Sequence, residues 1–300
     1  MTVTINPIGP AFAGEVTGVD CRKPLAPESV AAIEAGMDQY AVLVYRDQKF
    51  NDEEQLAFTL NFGVIEQRGR GSPKGRIHFR TDDQARDLAR GIGDFSNIGG
   101  DGAPLTPDTR AYQFKMADRL WHSDSSFREI PAKYSLLSGR AVPSWGGSTE
   151  FADMRGAYDA LDDRTKAEVV DLVCLHSQIY SREAVGFGDM SADERTEFRP
   201  VRQRLVRCHP VTGRKSLFLS SHAGAIEGWN IPESRMFLRD LAEFATQPKF
   251  VYSHAWTRHD FVVWDNRTTM HRGRRFDPAE PRDVRQTRLA GDGATIEQLD

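Results

Sequence analysis

Strand-like segments stand at both ends of this 300-residue chain with helix-like segments between them, so any sheet core must be closed by pieces remote in sequence. Val3 to Asn6 alternates apolar with polar residues, the period of a half-buried strand, and Ala13 to Val19 is a weaker case interrupted by glycines. Ala41-Val42-Leu43-Val44-Tyr45 is an apolar run short enough for a buried strand. Tyr134 to Val142, Thr149 to Phe151, Val251 to Trp256, Asp260 to Trp264 and Val284 to Leu289 carry strand patterns through the rest. Pro27 opens a stretch with Val30, Ile33 and Met37 at helical spacing, and Asn51 with Glu54 forms a capping-box signature ahead of Leu56, Ala57 and Leu60. Helical patterns also occupy Met154 to Leu161, Arg164 to Leu172 and the residues from Pro232 to Phe244. Strands on both sides of a helical insertion predict a mainly β fold with helical insertions, an interrupted β-sandwich in a single domain over residues 1–300.

The charge balance narrows the choice of partner. With 39 basic against 43 acidic residues the net charge is -4, which provides no broad cationic field for nucleic acid or an anionic membrane, and a small-molecule partner is expected. No apolar run approaches the roughly 18 to 20 residues needed to span a bilayer. The opening Met1-Thr2-Val3-Thr4-Ile5-Asn6-Pro7 lacks the basic start and apolar stretch of a signal peptide, so a cytoplasmic location is expected. Cys21, Cys174 and Cys208 are too few and too scattered for a disulfide framework or a zinc-like pair, and read as separate reduced packing residues. From about Glu66 to Asp118 the chain is rich in Gly, Arg and Asp with little periodicity. Long irregular stretches of this kind are usually functional or mobile, and the segment reads as a lid over a site or as a solvated insertion.

The chemistry is concentrated in Leu120-Trp121-His122-Ser123-Asp124-Ser125-Ser126-Phe127 and in Asn266-Arg267-Thr268-Thr269-Met270-His271-Arg272. On a strand, residues two apart point to one face, so His122 and Asp124 can offer a nitrogen and an oxygen to one ion. His271, after the apolar strand Phe261 to Trp264, is the best third ligand, because a sheet can bring a distant segment alongside. Two His and one carboxylate leave open positions that suit Fe(II) binding a cosubstrate and dioxygen. Spacing alone does not decide it. In a chain with 8 histidines one His-x-Asp arises readily by accident, and the same residues also read as a core histidine, a turn aspartate and a solvated histidine beside the basic run Arg272 to Arg275.

The wider motifs are more specific. Trp121 to Phe127, Gly146-Gly147-Ser148-Thr149-Glu150-Phe151-Ala152-Asp153-Met154-Arg155, and Val263-Trp264-Asp265-Asn266-Arg267 with His271-Arg272 closely resemble the Fe(II)- and 2-oxoglutarate-dependent dioxygenases of the taurine and 2,4-dichlorophenoxyacetate family, nearest to the phenoxyacetate branch. The resemblance implies a double-stranded β-helix, or jelly roll, with Fe(II) on His122, Asp124 and His271. It also implies 2-oxoglutarate as cosubstrate, its distal carboxylate on Arg282 and Thr149, where a guanidinium fork and a hydroxyl suit an acid. The implied reaction consumes O2, splits 2-oxoglutarate into succinate and carbon dioxide, and hydroxylates a small acid. Beside an ether oxygen the product is a hemiacetal that collapses to a phenol and glyoxylate, as in the degradation of aromatic compounds. A homo-oligomer is expected.

One position departs from the family. Relatives commonly carry a second arginine fifteen residues beyond the distal His, to grip the substrate acid, and this chain has Gln286 there. An amide donates a hydrogen bond but supplies no charge. On a strand Arg282, Gln286 and Arg288 share a face, which makes Arg288 the candidate replacement anion partner, and Ile98 within Ser96-Asn97-Ile98 is a further candidate substrate contact. An oxygenase acting on a sulfonate or another small acid, a non-catalytic acid-binding β-sandwich and a zinc hydrolase remain alternatives. The first differs in substrate, the second lacks open chelation sites, and the third would work without oxygen or 2-oxoglutarate.

Overall fold

The computed structural model describes residues 2–9, 12–66 and 91–298. Its strands, in chain order, are β1 (Thr4–Pro7), β2 (Ala13–Thr17), β3 (Val42–Tyr45), β4 (Gly93–Asp94), β5 (Tyr134–Ala141), β6 (Thr149–Asp153), β7 (Val173–His176), β8 (Val201–Arg204), β9 (Val206–Cys208), β10 (Lys215–Leu217), β11 (Ala223–Ile226), β12 (Val251–His254), β13 (Phe261–Asp265), β14 (Thr269–Gly273) and β15 (Asp283–Arg288). A seven-stranded sheet runs β1-β2-β3-β13-β5-β15-β4, and a three-stranded sheet runs β12-β6-β14. Every pairing in them is antiparallel except β2 with β3.

The two sheets enclose one apolar layer. Val42, Val44, Leu137, Val262, Trp264 and Val284 come from the larger sheet and meet Phe151 and Tyr252 from the smaller. β13, at the centre of the larger sheet, is buried at all five positions and pairs β3 on one side and β5 on the other. A strand covered on both faces needs a continuous apolar run, which Phe261-Val262-Val263-Trp264 supplies. Two sheets built from strands of both chain halves make the expected jelly roll.

The outer face of the larger sheet is covered by the helices α1 (Pro27–Tyr40) and α2 (Asp52–Leu60). Ile33 and Met37 of α1 are buried there, in the stripe that helical spacing predicts, while Val30 is only partly buried. Asn51 and Glu54 form the expected reciprocal capping box at the start of α2. Within α2, Phe58 meets Tyr45 and Phe261 edge-on, with ring centroids 5.8 and 5.2 Å apart. The insertion between β6 and β12 carries four short helices, two small sheets and the helix Ile231–Ala245, which pack as a second core against Ala152 and Met270 of the smaller sheet.

Two local expectations change. The residues before His122 do not form a strand: His122 makes a single bridge to His271, and a turn starts at Asp124, with Ser125 at φ 56°. The strand is broken because the Asp124 N–H is taken by the Asn266 side chain at 3.2 Å, not by a ladder carbonyl. Part of the Glu66 to Asp118 segment, residues 67–90, lies outside the described residues. The rest is less irregular than expected, with β4, the helix Arg110–Lys115 capped by Thr109, and a 3-10 turn over Met116–Arg119. All three cysteines are free; Cys21 and Cys174 are buried and Cys208 partly so.

Candidate active site

His122, Asp124 and His271 come together although they come from three kinds of backbone. His271 sits on β14, His122 faces it across two reciprocal backbone hydrogen bonds of 3.0 and 2.8 Å, and Asp124 lies on the following turn. One ligand atom from each lies within 4.8 Å of the others, and all three residues are buried. Nε2 of His122 stands 4.0 Å from Asp124 Oδ1, and Nε2 of His271 stands 3.9 Å from Oδ2. These separations are too long for hydrogen bonds, yet short enough for one ion with bonds of about 2.1 Å to be shared.

The surroundings prepare these groups to bind a cation. The Nδ1 of His122 lies 2.8 Å from the Leu120 carbonyl, which fixes its proton there and leaves Nε2 as a lone-pair donor. The ring of His271 is held by Trp264 (centroids 4.7 Å apart) and Phe151, and its Nδ1 has no partner. Burial, reinforced by His122, brings its pKa down to about 3, so the imidazole is neutral at pH 7. Burial alone would raise the Asp124 pKa, but His271, Arg288, His122 and the Ser135 hydroxyl outweigh it and bring it down to about 2. A neutral His271 imidazole and an ionised Asp124 are protonation states a divalent ion requires.

A polar brace holds Asp124. Its Oδ2 accepts from Ser135 Oγ at 2.6 Å and from Gln286 Nε2 at 2.9 Å. Asn266 ties the turn together: its Oδ1 accepts from the Asp124 N–H and from Trp264 Nε1, and its Nδ2 donates to Ser135 Oγ. Asn266 and Trp264 belong to the Val263 to Arg267 motif, whereas Ser135 carried no sequence signal beyond its strand.

The triad opens into a cavity of about 140 Å³. Thr149, Arg282 and Gln286 line it. Thr149 is set by the turn before β6, where Gly146 has φ +70° and an added Cβ would lie 2.2 Å from the Arg275 carbonyl. Its Oγ1 accepts from Trp256 Nε1 at 2.9 Å, so its own hydroxyl proton is available to a ligand. Trp256, at the end of the predicted strand after Val251, was not singled out. The Arg282 guanidinium, 5.6 Å from the Phe276 ring, has no hydrogen bond or ion pair among the described residues. Burial lowers its pKa to about 10, with Asp118 opposing and Arg119 adding to the shift, so it remains a cation without a counterion. The unpaired Arg282 guanidinium and the free Thr149 hydroxyl proton together fit the far carboxylate of a keto acid.

Two expected substrate contacts are placed elsewhere. Arg288 does not line the cavity. Its Nη1 donates to Ser125 Oγ at 2.9 Å, and its charge is matched by Glu66 at 3.3 Å and by Asp124 at 3.8 Å. Gln286 and Arg288 do share a strand face, but the second is consumed by the carboxylates around it. Ser96 and Asn97 line the cavity and Ile98 does not; Ile98 bridges to Pro104 instead.

Residues 4–288 match the model of the taurine catabolism dioxygenase TauD, TfdA family. The chain belongs to that family. It is 41% identical over 97% of its length, and 99% of the relative's, to the alpha-ketoglutarate-dependent 2,4-dichlorophenoxyacetate dioxygenase of Cupriavidus pinatubonensis. It is 34% identical, over 97% of this chain and 96% of the relative, to the (S)-phenoxypropionate/alpha-ketoglutarate-dioxygenase of Delftia acidovorans. Among solved structures, AAD-2 in complex with Mn(II) and N-oxalylglycine superposes with a TM-score of 0.89 at 53% identity, covering 99% of this chain and all of that one. The protein is a dioxygenase that uses Fe(II) and 2-oxoglutarate.

Proposed function

We propose that the protein hydroxylates a phenoxyacetate-like acid at the carbon between the ether oxygen and the carboxylate, in a single dioxygenase domain spanning residues 1–300. The observation that carries this reading is the near-full-length kinship with 2,4-dichlorophenoxyacetate dioxygenases at 41% and 40% identity, against 25% for a sulfate ester dioxygenase. In this reaction one oxygen atom of O2 enters the substrate C–H bond and the other enters succinate, as 2-oxoglutarate loses carbon dioxide. The hemiacetal then breaks its C–O bond to give a phenol and glyoxylate.

In this reading His122, Asp124 and His271 hold Fe(II), which when bound supplies the oxygen activation that no side chain can perform. Ser135 and Gln286 keep one oxygen of Asp124 occupied, so its other oxygen, without a hydrogen-bond donor among the described residues, would be free to hold the ion. Arg282 and Thr149 take the distal carboxylate of 2-oxoglutarate. Residues 91–118 form one wall of the cavity through Phe95, Asn97, Tyr112 and Met116, which supports the lid reading for the described part of that segment. Closing that wall over the reactants would exclude water.

A cytoplasmic location and a homo-oligomer complete the proposal. Among the described residues no helix is long and apolar enough to cross a membrane; light scattering tests the assembly. The central experiment measures succinate and phenol across phenoxyacetates, phenoxypropionates and taurine, with Fe(II), O2 and 2-oxoglutarate. Equal succinate and phenol from a phenoxyacetate is the expected result. Succinate formed faster with taurine than with any phenoxy acid would overturn the substrate reading.

A further inference from the structure

An acid substrate and the distal end of 2-oxoglutarate bring two carboxylates into the cavity away from the metal ligands, and each needs a cation. Position 286 cannot supply one. The Gln286 amide is fixed by Asp124: turned the other way, its Oε1 would face a carboxylate oxygen with no proton between them, so Nε2 stays on Asp124 and Oε1 is left without a partner. Arg288 is committed to Glu66, Ser125 and Asp124.

Four basic side chains line the cavity: Lys115, Arg119, Arg274 and Arg282. Lys115 Nζ donates to the Ser96 carbonyl at 2.6 Å, and Arg274 pairs with Glu150 at 3.5 Å. Arg119 and Arg282 are the two whose guanidiniums make no hydrogen bond or ion pair among the described residues. Both are partly buried, and they are near enough for Arg119 to disfavour the charge on Arg282. Two adjacent cations facing a cavity raise the free energy of the empty site and favour an anion at each.

The two come from different elements. Arg282 lies just before β15 and lines the cavity, as does Thr149 at the start of β6. Arg119 ends the 3-10 turn Met116–Arg119, and the next residue, Leu120, gives the carbonyl that orients His122. Arg119 is thus tied through one short backbone segment to one of the three candidate metal ligands.

We propose that Arg119 is the specificity-determining cation of this site, the guanidinium that binds the substrate's carboxylate in place of the arginine absent at position 286. The inference rests on the acid-hydroxylating function proposed above. It explains how an amide is tolerated on β15: the charge is supplied from the 3-10 turn Met116–Arg119 instead.

The test uses the full chain with Arg119→Gln and Arg119→Lys. Loss of a charge-assisted hydrogen bond, worth about 1.5–3 kcal/mol, corresponds to roughly a 10- to 100-fold weaker interaction. In Arg119→Gln the KM for a phenoxyacetate should rise by that factor with kcat changed far less, and Arg119→Lys should recover part of the loss. Calorimetric titration of the same acid into protein loaded with Mn(II) and N-oxalylglycine, which does not turn over, should show the same loss. The affinity for 2-oxoglutarate, from anaerobic titration with Fe(II), should stay within about twofold, as should kcat/KM for the corresponding neutral amide. A fall in 2-oxoglutarate affinity would assign Arg119 to the cosubstrate and overturn the proposal, as would equal losses on acid and amide, or an unchanged acid KM. Wild-type protein that makes no succinate with any acid overturns the activity reading and this inference together; normal wild-type turnover with an indifferent Arg119→Gln overturns this inference alone.

Discussion

Single side chains are tuned by what surrounds them, and two, one in the site and one outside it, make testable cases. Arg282 is a partly buried cation with no counterion, so its replacement by Ala removes the charge-assisted contact and relieves no internal pair. Arg282→Ala should weaken 2-oxoglutarate binding by about 10- to 100-fold in anaerobic titration, while Fe(II) or Mn(II) binding without 2-oxoglutarate is retained. His176 lies outside the cavity. It is fully buried, stacked on Phe218 at 5.5 Å, and neither ring nitrogen has a partner. Burial lowers its pKa to about 3 from an ordinary value of 6.5. The unfolded chain therefore binds the proton more readily, so this contribution to stability is complete above pH 6.5 and is lost as pH falls towards 3, by at most about 1.4 kcal/mol per pH unit. In urea titrations of metal-free protein at pH 7 and pH 5, His176→Leu should lose less stability on acidification than wild type. An identical pH dependence in the two proteins would remove His176 as the cause.

At the scale of elements, α2 links the surface to the core under the site. Its Gln55 side chain donates to the Arg285 carbonyl of β15 at 3.0 Å and accepts from Ser138 of β5 at 2.7 Å, tying the strand of Gln286 to its neighbour. Removing the capping box with Asn51→Ala should cost about 1 kcal/mol of stability in chemical denaturation. Activity at saturating substrates should fall less than the stability loss suggests, because the strand pairing itself survives. Elements with strong local signals were legible: the apolar runs of β3 and β13, the stripe on α1 and the Asn51–Glu54 cap all depend on residues close in sequence. The three- and four-residue strands β7 to β11 were not, because segments so short have too few positions to set a period, and their pairing comes from the helices packed on them. The site divides in the same way. His122, Asp124 and His271 stood out through their motifs, and Thr149 and Arg282 through family likeness. Ser135, Trp256 and Arg119 matter only because of what tertiary structure sets beside them, and the pairing of Arg288 with Glu66 is invisible in the sequence because the two are remote in it.

For the molecule as a whole, a ligand that binds only the folded state adds to its stability by mass action. Mn(II) at about 100 times its dissociation constant should add about 3 kcal/mol to the unfolding free energy, and a chelator should remove it. His271→Ala should abolish this metal-dependent gain in thermal unfolding. A gain equal to that of wild type would show that the ion binds elsewhere. The pair of backbone hydrogen bonds between His122 and His271 has a consequence for biogenesis. One imidazole belongs to the first half of the chain and its mate emerges from the ribosome near the end of synthesis, after the whole helical insertion, so a nascent polypeptide has no complete nest for an ion. The full set of three ligands can therefore close around an ion only after the segment that carries His271 has been made.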